Sequence, residues 1–140
     1  CHSDPPSIKV RNIFNFSIYN DSIFARLEHV SNKDILNDSL IKFIGNTNKE
    51  GYYYPEFKMT RVPLLDDTLV SKQVFIMNLN LVDTLKHRQE WKNLIKTIKL
   101  VEYAYDQVRN VSSQNIWNKN FQELSWTQKQ SILNIHPYRI

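Results

Sequence analysis

The stretch Ile13-Phe14-Asn15-Phe16-Ser17-Ile18-Tyr19-Asn20-Asp21-Ser22-Ile23-Phe24-Ala25-Arg26-Leu27 decides the fold class. Phe14, Phe16 and Ile18 alternate, and Asn20-Asp21 then offers a turn before Ile23, Ala25 and Leu27, the pattern of a β-hairpin. Ile13, Phe16, Asn20, Ile23, Leu27 and Val30 also fall on a three-to-four-residue repeat, the pattern of a helix. Glycine content tips the choice towards helix. The chain holds only Gly45 and Gly51, and hairpins and bulges lean on glycine for positive φ.

Further along, helical spacing dominates. Ser31 with Asp34 forms an N-cap arrangement. Leu36, Leu40, Phe43 and Ile44 make one face, and Gly45 is placed to end that helix in the left-handed conformation. Residues 46–65, with Pro55 and Pro63, read as a loop or short extended segment. Asp66 or Asp67 caps a helix bearing Val70, Val74, Met77, Leu81 and Leu85, with a strand over 74–81 as the competing assignment. Trp91, Leu94, Ile95, Ile98, Val101, Tyr105 and Val108 predict a helix over 90–110. Ser112 or Ser113 starts a shorter helix with Ile116, Trp117, Phe121 and Leu124. Ser125-Trp126-Thr127-Gln128 is a capping box opening a last helix. The expected architecture is mainly α: a compact bundle of about five helices, with an N-terminal hairpin (an α+β fold) as the alternative.

The 140 residues fit one domain, taken as a tether over 1–7 and a globular unit over 8–140. Three Trp, seven Tyr and seven Phe argue for an ordered core. A net charge of +4, with acidic residues interspersed, does not by itself imply nucleic acid. No run is long and apolar enough for a membrane span. Asn15, Asn20, Asn37 and Asn110 each open an N-x-Ser sequon, a glycan acceptor only in a secreted eukaryotic setting.

Catalytic and metal signatures are not found in the sequence. His2, His29, His87 and His136 show no metal-ligand spacing. The Gly-x-Ser-x-Gly motif does not occur. No catalytic residue, metal ligand or cofactor is therefore assigned, and a non-enzymatic role is expected. Two surfaces are candidates for a partner. Tyr52-Tyr53-Tyr54-Pro55-Glu56-Phe57 concentrates aromatic contact area in a loop, with Tyr52, Tyr53, Tyr54 and Phe57 as binding candidates. Arg88, Lys92, Lys96 and Lys99 line one side of a helix and suit an anionic partner; the competing assignment is a solvated face whose lysine stems cover the core edge.

The only cysteine is Cys1. Cys1-His2-Ser3-Asp4-Pro5-Pro6-Ser7 resembles the start of a mature bacterial lipoprotein. That resemblance implies a diacylglycerol anchor on Cys1, an extended Pro-containing tether and an extracytoplasmic setting. The implied role is a tethered binding or scaffolding domain for a protein or cell-envelope component. The stretch from His29 to Leu40-Ile41-Lys42-Phe43-Ile44 resembles the second helix region of sperm lysins. It implies the alternative role, a secreted basic helical protein acting on membranes or egg-coat glycoprotein.

Overall fold

A computed structural model describes residues 10–19, 22–26, 28–45, 55–79 and 88–140. Within it, the opening stretch forms strands. β1 (Ile13–Tyr19) pairs antiparallel with β2 (Ser22–Ala25), which pairs with the two-residue β3 (Glu28–His29). After α1 (Lys33–Gly45) come β4 (Phe57–Arg61), β5 (Asp67–Ser71) and β6 (Val74–Leu79), then α2 (Arg88–Trp117) and α3 (Trp126–Ile135). β6 returns to lie parallel to β1, giving a four-stranded sheet in the order β3-β2-β1-β6. β4 and β5 form a separate antiparallel ribbon.

The expected five-helix bundle is therefore wrong. Three α-helices and six strands in two sheets are seen among the described residues, an α+β arrangement. The period-two pattern won because it buries large side chains. Phe14, Phe16 and Ile18 point to one face and are almost inaccessible, while Asn15 and Tyr19 point to the other. Asn20, Asp21 and Leu27, parts of the hairpin reading, lie outside the described residues.

The glycine argument failed for a local reason. Arg26, Leu64 and Asn118 take positive φ without being glycine (51°, 65° and 55°). Each accepts a steric cost of about 1–3 kcal/mol so that the chain can turn. Gly45 does not take positive φ; it is simply the last residue of α1.

Other expectations also shift. No helix follows Asp66-Asp67: Thr68 to Ser71 and Val74 to Leu79 are strands. Leu81 and Leu85 lie outside the described residues. The break at Ser112-Ser113 is absent because both hydroxyls turn inward. Ser112 meets His136, and Ser113 donates to the Lys119 carbonyl (2.6 Å). α2 ends instead at Trp117, before the left-handed Asn118. Asn32 rather than Ser31 caps α1, its Oδ1 accepting the Asp34 N–H at 2.9 Å. The capping box at Ser125 and Gln128 forms as its sequence implies.

α1 and α2 pack on one face of the large sheet. Leu36, Leu40, Phe43 and Ile44 of α1 meet Phe14, Phe16 and Phe75 of the sheet and Val101, Ala104, Tyr105 and Val108 of α2. The phenyl groups interlock edge to face: Phe14 and Phe75 lie 5.2 and 5.4 Å from Phe43. Such pairs contribute about 0.5–1.5 kcal/mol each beyond area burial. Phe75 N–H donates to the Arg139 carbonyl at 3.0 Å, so the C-terminal segment lies along β6, the sheet's outer strand on that side.

Candidate functional site

α2 supplies the surface that sequence reasoning singled out, in a different rotational phase. The expected core face ran through Trp91, Leu94, Ile95 and Ile98. Instead Glu90, Asn93 and Thr97 are turned inward, each at most 5% exposed. From Val101 onward the inward side is apolar: Val101, Ala104, Tyr105 and Val108. The first three turns thus pack polar groups inward. Thr97 Oγ1 satisfies itself by donating to the Asn93 carbonyl at 2.7 Å, whereas Glu90 Oε2 meets no donor among the described residues.

The consequence lies on the opposite side. Trp91 is 49% exposed and Ile95 54%, and Tyr103, three turns further on, is 58% exposed. Lys92, Lys96 and Lys99 are all exposed. At 100° per residue the three lysines span about 60° of the helix circumference, and Trp91 and Ile95 border that sector on one side. Arg88 is the first residue of α2. On one side of the lysines lie the exposed Trp91 and Ile95, and on the other the partly buried Leu100, which packs against the core.

Most of the second candidate surface falls outside the described residues. Tyr52, Tyr53 and Tyr54 lie outside the described residues, and Phe57 is a half-buried residue at the start of β4. Cys1 is also outside them. Among the described residues no cluster of His, Cys, Asp and Glu is arranged to hold a metal ion.

One polar centre had no signal in the sequence. His136, at the C-cap of α3, lies across α2. Its ring Nε2 is 2.6 Å from Ser112 Oγ, and its carbonyl accepts both Nε and Nη2 of Arg109 at 3.1 and 2.8 Å. Beside it Gln73 donates to Tyr105 Oη (3.0 Å) and to the Pro137 carbonyl (3.2 Å). Arg139 donates to the Ser71 carbonyl at 3.0 Å. Burial, then the nearby Arg109 charge, depresses the imidazole pKa to about 4. Burial raises the Tyr105 phenol, and burial with the adjacent Glu102 carboxylate pushes Tyr138 up to about 12.

A serine beside an imidazole invites comparison with nucleophilic catalysis. A base that activates a hydroxyl works best with a pKa near the operating pH and with its second nitrogen oriented by a third group. His136 is held far below that range, and its Nδ1 has no hydrogen-bond partner among the described residues. Ser112, Arg109 and Gln73 pin the segment that follows α3 against α2 and β6.

A cleft of about 490 Å³ opens between the β2–β3 turn and the start of α1, with Phe14, Arg26, Glu28, His29 and Asn32 in its walls. The Arg26 guanidinium lies over two rings there, 4.6 Å from the Phe14 centroid and 4.9 Å from Phe43. This contact fastens the strained turn to the core.

No protein-family model, curated protein or solved structure matches the chain.

Proposed function

We propose that this chain is a binding or scaffolding domain whose partner, an anionic protein or cell-envelope component, lies against the outer face of α2. One observation carries the reading: Glu90, Asn93 and Thr97 face inward, while Trp91 and Ile95 stay exposed beside Lys92, Lys96 and Lys99. Keeping a half-exposed Trp and Ile in water forgoes about half of the roughly 1.5–3 kcal/mol that full burial of a large side chain contributes. A partner that covers them recovers that free energy, and the lysines favour one of opposite charge.

Lysine acylation tests the reading directly. The purified protein and the protein in its native setting are labelled side by side. Lys92, Lys96 and Lys99 are expected to be protected in the native setting, relative to the exposed Lys58 and Lys72 of the ribbon region. Equal labelling of all five lysines in both samples would remove the proposal. The anchor expected from the sequence has its own check, the mass of the native N-terminal peptide. An unmodified Cys1 thiol rules the anchor out and leaves the α2 face untouched.

A further inference from the structure

We infer that the partner of the α2 face is an anionic lipid surface, on which the first half of the helix lies flat; this rests on the binding role proposed above. The charge is concentrated where the apolar side chains are. On the outward side of α2, register places Lys92, Lys96 and Lys99 with Trp91, Ile95 and Tyr103. Glu102 and Asp106 are the carboxylates of that side, both at its far end, and Glu102 accepts a hydrogen bond from Tyr138 at 3.3 Å. Three exposed lysines, against the exposed Glu102 and Asp106 at the far end, leave the face net positive and call for a negatively charged occupant.

Shape narrows the choice. The sector is the outer wall of a helix, a convex ridge about 18 Å long from Trp91 to Tyr103. A convex ridge encloses no partner side chain, whereas a deformable bilayer interface moulds to it. The residue types also match that medium. Tryptophan and tyrosine settle at headgroup depth. Ile95 reaches the acyl boundary, and lysine stems lie along the apolar layer with their ammonium groups among lipid phosphates. No helix of the described chain is long and apolar enough to cross a membrane, so the contact is peripheral.

Each lysine near an anionic surface adds about 1 kcal/mol, which is about fivefold in binding. The test is co-sedimentation of the full chain with vesicles of phosphatidylcholine containing phosphatidylglycerol, against vesicles of phosphatidylcholine alone. Binding to the anionic vesicles is expected, weakening as salt rises and by about fivefold for each of Lys92→Gln, Lys96→Gln and Lys99→Gln. In a Trp117→Phe/Trp126→Phe background, Trp91 emission should shift to the blue with anionic vesicles only. Trp91→Ala should weaken sedimentation without unfolding the chain, since the side chain is half exposed.

Equal sedimentation with neutral and anionic vesicles, or none with either, overturns the lipid assignment. If the chain then binds immobilised polyglutamate through the same lysines, the face serves an acidic protein, and the broader binding role survives. If the acylation experiment also shows no protection of Lys92, Lys96 and Lys99, the face has no partner and both readings fall.

Discussion

Acidification puts a proton on His136 only at the expense of the fold. In the unfolded chain the imidazole titrates near 6.5; in the folded chain, 8% exposed and close to Arg109, it titrates at about 4. Between those values the unfolded state binds more protons than the folded state, so stability falls as pH falls. The sign is that of a depressed pKa: the contribution is intact above about 6.5 and is lost progressively down to about 4. Each pH unit in that window costs about 1.4 kcal/mol. At about pH 4.5 the loss from this one group is about 2.5 kcal/mol, a large share of a small domain's stability. Urea unfolding at neutral pH and at about pH 4.5 measures it. His136→Gln removes the titrating group. The variant starts less stable at neutral pH, because the Ser112 contact is altered, but it should lose about 2.5 kcal/mol less on acidification. Carboxylates titrate equally in both proteins and cancel in the difference. Equal losses in the two chains, or an NMR titration that places His136 near 6.5, would refute the reasoning.

Other outcomes follow from the same geometry. Arg109→Met removes the forked donor to the His136 carbonyl and the charge that depresses the imidazole. It should raise the His136 pKa from about 4, read by NMR, and destabilise by about 2–3 kcal/mol, read by urea unfolding. Phe75→Ala removes a ring that touches Phe14, Phe43 and Tyr105 and should cost about 3–5 kcal/mol. Leu64→Gly relieves a left-handed backbone at an exposed side chain; strain relief outweighs the added unfolded-state entropy, and thermal unfolding should show a gain of about 0.5 kcal/mol. Ser125→Ala removes the hydroxyl that accepts the Gln128 N–H, the side-chain half of the capping box, and should cost about 1 kcal/mol in the same assay.

Parts of this fold were legible because they are local. The α1 face, the capping box at Ser125 and a long helix around residue 100 follow from side-chain spacing within a few turns. The opening stretch carried two periods at once, and spacing alone did not choose between them. What chose was a partner about sixty residues away, β6, whose Phe75 sits beside Phe14 in parallel register. The phase of α2 was hidden for a related reason. A hydrophobic pattern shows which residues are apolar, but not which side of the helix finds a sheet to pack on. Spacing placed Lys92, Lys96 and Lys99 on one helix face. Only packing showed Trp91 and Ile95 exposed with them.

The sequence by itself determined the charge pattern, the capping box at Ser125 and the positions able to alternate or repeat, since these depend on neighbours in the chain. Tertiary structure alone decided that residues 13–19 and 22–25 are strands, that Ser112 and Arg109 hold His136, and that Glu90, Asn93 and Thr97 of early α2 face inward. Each of those outcomes depends on burying surface against elements tens of residues away, and burial energy depends on that contact rather than on sequence proximity.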